Sequence, residues 1–356
     1  MVRRAVRRPF ATVILVVRDA EAHIVRALES VLSQDFEGVQ VVVSDRGSSD
    51  RTSSICKSIA ERDIRVDVID SEAPDYAQAF DAAVAAARGE YLLAMDQDDW
   101  LAPGALAELA RAVDEDALQL AFMALSLDEQ VGAGERASHV LSFSTTPSKS
   151  AAEFRENAPL FIREGVLSFL KGKLLARDRI DELGLRMSLL GSQAAFLAAY
   201  VEAVERVGSV EGALYHMSAQ APLNEAGVDV YRERERDHER MLQLAAAWHG
   251  EHDERLMRAI HQLHMRQVIA CIEYACSQRG ISSIERTERV RDIIEAPSTR
   301  RSVDVLGADS REFGFMYASI VRKNAAGCCL SARFAQLARI SRLPFGQGRL
   351  DLAAFA

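Results

Sequence analysis

The sequence has no glycine before Gly38, so no glycine-rich turn follows its first predicted strand. Dehydrogenases of the dinucleotide-binding type need a GxGxxG turn there, because the backbone must approach a pyrophosphate closely. The lysine-containing phosphate loop of nucleotide hydrolases is also missing from the chain. If the protein binds a nucleoside diphosphate, it needs another source of positive charge, and a metal held by carboxylates is a common one.

Positive net charge and long apolar runs are missing as well. The formal net charge is -9 and the isoelectric point is about 5.5, whereas nucleic-acid-binding domains are strongly basic. The apolar run 11–17 follows several arginines but is interrupted by Arg18 and Asp19, so it is too short for a signal core or a bilayer span. We therefore predict a cytoplasmic protein that does not bind nucleic acid. A local basic patch can still contact anionic lipid at the inner face of a membrane.

Disulfide and zinc patterns are not found either. The chain has 5 cysteines, an odd number, at positions 56, 271, 276, 328 and 329, and no two of them form a CxxC pair. Disulfides are rare in the reducing cytosol. We interpret these cysteines as reduced, partly buried thiols.

Short apolar runs and helical patterns alternate over the first hundred residues. Continuously apolar or β-branched runs occur at 11–17, 39–44, 66–70 and 91–95. Such runs are typical of strands buried on both faces, as in a parallel sheet. The segments between them carry apolar residues at helical spacing. This alternation predicts βαβ units and a Rossmann-like α/β fold, with a mixed, mostly parallel sheet flanked by helices.

The second half of the chain has a different pattern. Further strands are predicted at 118–127, 138–144 and 208–217, and beyond residue 222 the pattern is almost wholly helical. We therefore predict an α/β domain over 1–221 and a helical region over 222–356, the latter also available for homo- or hetero-oligomer contacts. The tail 330–350 mixes arginines with apolar residues at helical spacing, so it either packs on its own domain or lies on a membrane surface.

The segment 91–101, YLLAMDQDDWL, ends an apolar strand in three acids. Asp96 and Asp98 are two residues apart, so in an extended chain both side chains project to the same side, and Asp99 begins the turn. In open α/β sheets, ligands bind at the carboxyl ends of the strands. Carboxylates at this place favour a site for Mg²⁺ or Mn²⁺ bound to a diphosphate.

Several motifs follow one another in a fixed order over residues 1–217. They are RALESVLSQ (27–35), VVVSDRGSSDRT (41–52), AAARGEYLLAMDQDDWL (85–101) and LYHM (214–217). With these motifs the chain resembles the family 2 glycosyltransferases, which have the nucleotide-sugar-binding GT-A fold. The run Arg88, Gly89, Glu90 and Tyr91, which leads into the aspartates and Trp100, is the most specific part of the resemblance.

The resemblance implies a role for each matching residue. Asp45 would face the nucleotide base, Asp96 the ribose or the metal, and Asp98 would bind Mg²⁺ or Mn²⁺; Asp99 is a further donor-binding candidate. The implied reaction is inverting transfer of a sugar from a nucleotide-sugar donor to a cell-surface glycan or its lipid-linked precursor. A metal would stabilise the charge of the departing diphosphate, and a carboxylate base would take the proton of the acceptor hydroxyl.

Some motif positions depart from the family pattern. Arg46 replaces the second acid of the family's DDGS motif, and Phe80 replaces an arginine on the apolar stripe of a predicted helix, which indicates a core residue. The family's Glu-Asp pair, whose aspartate is the expected base, aligns with Ser192 and Gln193. An amide cannot accept a proton at neutral pH, and a serine hydroxyl needs a base of its own. Lys173 does match a lysine that is common in the family.

Three explanations of the missing base stay open. The alignment can be shifted, so that Asp178, Asp181 or Glu182 takes the role. His216 can be the base or a metal ligand, or it can be a core histidine. Alternatively, the protein has kept the fold, lost transfer activity and become a binding or scaffolding subunit. A nucleotidyltransferase is a further class, but it normally has a glycine-rich basic loop after its first strand, and this chain has none.

Overall fold

The computed structural model describes residues 8–71, 75–130, 136–142, 146–218, 230–278, 280–308 and 311–340. The strands in these ranges are β1 Ala11–Val17, β2 Val39–Asp45, β3 Val66–Asp70, β4 Tyr91–Met95, β5 Trp100–Leu101, β6 Leu120–Gln130, β7 Arg136–Leu141, β8 Lys173–Ala176 and β9 Val207–Ser218. The α-helices are α1 Ile24–Leu32, α2 Thr52–Ala60, α3 Tyr76–Ala86, α4 Ala105–Asp116, α5 Ala151–Arg163, α6 Arg177–Glu182, α7 Met187–Leu190, α8 Gln193–Glu202, α9 Val230–Ala247, α10 Glu254–Ser277, α11 Ser283–Glu295, α12 Pro297–Leu306, α13 Gly314–Val321 and α14 Ala325–Ile340.

One mixed sheet forms the centre of the α/β part, in the order β3-β2-β1-β4-β8-β6-β9-β5, with β7 paired to β6. The four predicted strands of the first hundred residues are confirmed, and β1, β2, β3 and β4 pair in parallel. Every residue of β1 and β2 is buried, which explains their unbroken apolar sequence. The carboxyl ends of these strands therefore share one edge of the sheet, where Asp45 and Asp96 lie.

The antiparallel strand β8 places helix α6 at the amino edge of the parallel strands, opposite the aspartates. Ala176, the last residue of β8, pairs with Tyr91, the first residue of β4. Helix α6 follows directly, so it begins at the amino end of β4. Since β4 is five residues long, its two ends are separated by about 15 Å. Any side chain of α6 is therefore far from the edge that carries the aspartates.

The glycine of the RGEY motif is required by packing. A Cβ atom on Gly89 would lie 2.4 Å from the backbone nitrogen of Thr12, and the Gly89 N–H donates to Thr12 Oγ1 at 2.9 Å. Beside it, the Arg88 N–H donates to Gln40 Oε1 at 2.7 Å. These contacts join the amino ends of β1, β2 and β4, away from the acids. The most specific part of the family resemblance is therefore structural.

The chain divides into two compact units. The first contains residues 1–154 and 169–221, and the second contains residues 155–168 and 222–356. Residues 155–168 were predicted to belong to the α/β domain, whereas their contacts group them with the helices. The second unit has its own apolar core, formed mainly by α10, α11, α12, α13 and α14.

Helix α14 leaves an apolar stripe exposed. Leu330, Phe334 and Leu337 are spaced at i, i+4 and i+7 and are 71%, 55% and 62% exposed, while Cys328 and Ala332 face the core. None of the helices in the described ranges is long and apolar enough to cross a membrane. The part of the predicted membrane-contacting tail beyond residue 340 lies outside the described residues. All five cysteines are free of disulfides.

Candidate active site

Asp45 closes the carboxyl end of β2. It is almost fully buried, and its Oδ1 accepts hydrogen bonds from the backbone N–H of Ser48 at 3.0 Å and from the Ser48 hydroxyl at 2.6 Å. This carboxylate therefore shapes the turn that follows β2, with Gly47 in the left-handed region at φ +76°. The turn lies at the strand edge where a nucleotide is expected.

Three acids hold the loop after β1 against the loop after β2. Asp19 accepts from the N–H and hydroxyl of Ser49, Glu21 accepts from the N–H of Arg51, and Asp50 accepts from the N–H of Glu21. Hydrogen bonds from Ser49 and Arg51 lower the pKa values of Asp19 and Glu21, respectively. The two loops together form a fixed rim at the carboxyl edge of the sheet.

Gln97, the middle residue of the DQD motif, ties the motif to the end of β1. Its side-chain carbonyl accepts from the Arg18 N–H at 2.8 Å, and its amide donates to the Arg18 carbonyl at 3.2 Å. On the other side, Arg26 of α1 donates to the Asp98 carbonyl at 2.5 Å and lies over the Trp100 ring at 4.0 Å. The backbone that carries Asp96 and Asp98 is therefore anchored at both ends.

Asp96 is held by a lysine that the sequence analysis did not select. Lys171 Nζ lies 2.8 Å from Asp96 Oδ2 and 3.8 Å from Asp99 Oδ2, and the lysine side chain is only 15% exposed. The neighbouring carboxylates raise the pKa of Lys171 against the opposing effect of its burial. Lys171 is therefore a fixed positive charge within the acidic motif.

Asp98 has a different environment. Its carboxylate is half-buried, and no side chain in the described part of the protein donates a hydrogen bond to it or pairs with it. Desolvation raises its pKa, and the negative charge of Asp96 raises it further. The positive charge of Lys171 opposes this shift. A desolvated carboxylate that makes no ion pair gains from a bound cation. The role of Asp98 as a metal ligand stays a prediction.

Asp99 bonds to the protein itself. It is 1% exposed, and its two oxygens accept from the Tyr215 hydroxyl at 2.8 Å and from the Ser218 N–H at 2.8 Å. The same Tyr215 oxygen accepts the Asp96 N–H at 3.2 Å. Burial raises the pKa of Asp99 to about 7, although Lys171 opposes the shift. These contacts fasten β9 to the motif and favour a structural role over the predicted contact with the donor.

Lys173, the lysine that matches the family, lies in the core. It is 1% exposed, donates to the Lys171 carbonyl at 3.1 Å, and its ammonium lies 4.0 Å from the centre of the Phe169 ring. Burial lowers its pKa well below the usual value. Strand pairing separates the two lysines. Lys173 begins β8, whereas Lys171 precedes the Gly172 turn at the carboxyl edge of β4.

The residues at the expected position of the base have structural contacts. The Ser192 hydroxyl caps α8 by accepting the Ala195 N–H at 3.1 Å. Gln193 Oε1 accepts the Leu170 N–H at 2.8 Å and so holds the segment that carries Lys171. Neither residue supplies a carboxylate. Phe80 is buried and packs edge-to-face on Phe196, as predicted for a core residue.

The three acids proposed as a shifted base lie at the wrong edge of the sheet. Asp178, Asp181 and Glu182 belong to α6, which begins at the amino end of β4. Asp178 pairs with Arg8, Asp181 with Arg177 and Glu182 with Arg179, all on that side. A separation of about 15 Å along β4 is far beyond hydrogen-bond reach. The structure therefore argues against Asp181 and its neighbours as the base.

His216 packs against Trp100, which follows the acidic motif. Its Nδ1 lies 2.7 Å from Asp128 Oδ2, and its ring stacks on Trp100 with the centroids 4.9 Å apart. His216 and Tyr215 are consecutive in β9, so their side chains lie on opposite faces of the strand. Since Tyr215 contacts Asp99, His216 faces away from that cluster. This placement favours the core-histidine interpretation over a base or metal ligand.

No group of three or more His, Cys, Asp or Glu in the described ranges forms a ready-made metal site. Lys171 engages Asp96, and Tyr215 and Ser218 engage Asp99. Among the described residues, none donates a hydrogen bond to the Asp98 carboxylate or forms an ion pair with it. Magnesium commonly binds through one or two carboxylates together with substrate phosphates, and this donor set fits that mode.

Comparisons with known proteins agree with the fold and the motif order. The sequence model "Glycosyl transferase family 2" matches residues 12–175. The chain is 28% identical over 164 residues to the succinoglycan biosynthesis protein ExoO of Rhizobium meliloti, covering 46% of this chain and 47% of that protein. It is 31% identical over 90 residues to the glycosyltransferase GlyA of Streptococcus pneumoniae, covering 25% and 13%. The chain thus spans less than half the length of these relatives.

A solved structure extends the likeness to the helical unit. The structure of S. aureus TarS 1–349, determined in complex with UDP-GlcNAc, matches with a TM-score of 0.60 and 16% identity. The match covers 92% of this chain and 91% of TarS 1–349, and at this identity it shows a shared fold. The predicted GT-A architecture with a helical C-terminal region is confirmed. Over residues 12–175, the chain is similar to glycosyl transferase family 2.

Proposed function

We propose that this protein transfers a sugar from a nucleoside-diphosphate donor to a glycan or lipid-linked acceptor. The observation that carries the proposal is Asp98. It is a desolvated carboxylate that makes no hydrogen bond or ion pair within the described residues, and it lies at the carboxyl edge of β4 in the region that matches the family 2 model. Relatives named for succinoglycan and O-antigen biosynthesis support an acceptor of the cell-surface polysaccharide class. A cytoplasmic location fits such a donor and stays a prediction.

The residues at the carboxyl edge of the sheet have different roles in this proposal. Asp45 and the rim of the β1 and β2 loops hold the nucleoside, and Asp96 with Lys171 lies beside the diphosphate. Asp98 would hold Mg²⁺ or Mn²⁺, which when bound neutralises the charge that develops on the departing diphosphate. The anchoring by Gln97 and Arg26 keeps the two aspartates in place without donor, so little reorganisation is needed on binding.

Inversion at the anomeric carbon requires attack by the acceptor hydroxyl from the face opposite the diphosphate, and a group to take its proton. Gln193 cannot accept a proton, and Asp181 and His216 face elsewhere. None of these candidate bases is suitably placed in the described residues, and this favours a second candidate function, a donor-binding subunit without transfer activity. The two functions share the donor site and differ only in the chemical step.

Nucleotide binding tests the donor site. We expect UDP or GDP with Mn²⁺ to raise the melting temperature of the protein, since a ligand that binds only the folded state stabilises it. The Asp98→Asn variant is expected to lose the Mn²⁺-dependent part of the shift. Asp178→Asn is the matched control, because Asp178 is an exposed aspartate at the opposite edge of the sheet. If no common nucleotide produces a shift with Mn²⁺, the donor site is refuted.

Donor hydrolysis separates the enzyme from the binding subunit. A site that can activate a hydroxyl also hydrolyses its sugar nucleotide slowly with water in place of the acceptor. We expect release of nucleoside diphosphate from one member of a panel of UDP- and GDP-sugars, measured by anion-exchange chromatography. Binding of the nucleotide with no release from any donor would establish the binding subunit instead.

A further inference from the structure

Lys171 places a permanent cation within the acidic motif. Its ammonium lies 2.8 Å from Asp96 and 3.8 Å from Asp99, and the side chain is 15% exposed. The turn at Gly172 fixes this position, since a Cβ at Gly172 would lie 2.4 Å from Leu125 Cδ2 and the residue has a φ of +68°. Gln193 holds the other side of the segment through the Leu170 N–H.

Lys171 makes the net charge of the site less negative for a diphosphate that binds there. Asp96, Asp98 and Asp99 would together repel a diphosphate, because like charges a few ångströms apart in a partly desolvated site repel each other strongly. A site made only of these acids would therefore need a divalent cation before it could bind a nucleotide. Lys171 contacts two of the three carboxylates, whereas it acts on Asp98 only through a longer-range electrostatic attraction.

We propose that Lys171 substitutes for part of the charge of the divalent cation, so that this site binds a nucleoside diphosphate without metal. The inference rests on the proposed donor site and concerns how that site is charged. A metal held through Asp98 then tightens binding but is not required for it. By engaging Asp96, the lysine also limits the metal to a single carboxylate of the motif.

Titration calorimetry of the whole chain with UDP and with GDP tests the proposal in two buffers, one with EDTA and one with saturating Mn²⁺. For the wild type we expect the Kd in EDTA to lie within about tenfold of the Kd in Mn²⁺. For Lys171→Met we expect the Kd in EDTA to rise by about tenfold or more, the loss expected for one charge-assisted contact. In Mn²⁺ the same variant should change by less than about threefold, because the freed Asp96 becomes a second metal ligand.

Two variants control for charge and folding. Lys171→Arg keeps the positive charge and should retain binding in EDTA. Lys149→Met removes an exposed lysine from the same unit and should bind as the wild type does in both buffers. Thermal melts of all variants show whether Lys171→Met is folded. If it is not, the wild-type comparison and Lys171→Arg still decide the question.

The outcomes distinguish this proposal from the proposed function. Wild-type binding in Mn²⁺ with none in EDTA overturns the role of Lys171 and leaves the donor site intact. Equal weakening of Lys171→Met in both buffers also overturns it, because the lysine would then only support the structure. Absence of UDP and GDP binding by the wild type in both buffers refutes the donor site itself.

Discussion

The helical unit contains a cluster of buried histidines that should make it sensitive to acid. His238 of α9 and His264 of α10 stack with their ring centroids 3.9 Å apart, and His261 lies 5.0 Å from His238. All three are buried. Ser302 Oγ lies 2.9 Å from Nδ1 of His261 and 2.8 Å from Nδ1 of His264. A hydroxyl has one proton, so it donates to at most one of these rings and accepts from the other.

The neutral form of these histidines is strongly favoured in the folded state. Burial lowers the pKa of His261 to about 4 and of His264 to about 3, and it lowers the pKa of His238 further. Electrostatic repulsion from the other two histidines and from Arg301 of α12 lowers the pKa of His238 in addition to the effect of burial. Both nitrogens of His238 and Nε2 of the other two have no hydrogen-bond partner in the described residues. If one of these nitrogens were protonated, the new N–H group would therefore have no hydrogen-bond acceptor.

The sign of the pH dependence follows from these shifts. In the unfolded chain each histidine takes up a proton near pH 6.5, whereas in the folded unit it does not. Stability is therefore fully present above pH 6.5 and is lost as the pH falls toward the folded-state values. At pH 5.5 the three buried histidines together cost about 4 kcal/mol. This is a large part of the 5–15 kcal/mol that typical proteins have.

Urea denaturation between pH 7.5 and 5.5 measures this loss. The Trp100→Phe background leaves Trp248, buried in the second unit, as the only tryptophan and so as a fluorescence probe of that unit. We expect the free energy of unfolding to fall by about 4 kcal/mol over this range. In His264→Leu the fall should be about one third smaller. His252→Gln, an exposed histidine of the same unit, should keep the wild-type dependence.

The result that would refute the reasoning is an identical pH dependence in the wild type and His264→Leu. Titration of Asp99 in the first unit cannot cause a loss of stability as the pH falls. Its pKa is raised to about 7 by burial, so its contribution to stability grows as the pH falls, which is the opposite sign. A fall in stability confined to the first unit would also contradict the histidine explanation.

Two further predictions concern the α/β unit. Gly89→Ala should lower the free energy of unfolding by about 2 kcal/mol or more, because the new Cβ would collide with the Thr12 backbone; a urea midpoint equal to that of the wild type would contradict this. Gln193→Glu keeps an acceptor for the Leu170 N–H and adds a carboxylate at the expected position of the base. It should raise donor hydrolysis about tenfold at an unchanged melting temperature, and an unchanged rate would show that this position is not where the hydroxyl is activated.

Most of the sheet was predictable because its signals are local. β1, β2 and β4 are buried on both faces, so their sequences are continuously apolar, and the helices between them keep helical spacing. The aspartates at the strand ends followed from this reading, since parallel strands bring their carboxyl ends to one edge. The roles of Asp99 and Lys173 did not follow, because burial depends on residues distant in sequence, such as Tyr215 for Asp99.

By itself, the sequence determined the fold class, the resemblance to a family and the edge of the sheet at which the acids lie. These follow from periodicity and motif order, which are properties of short segments. Only the tertiary structure decided which acids have partners. Lys171 reaches Asp96 because β8 runs antiparallel beside β4, and the same direction carries Asp181 to the far edge. Strand direction and pairing join residues some 80 positions apart, and no local pattern in the sequence encodes that distance.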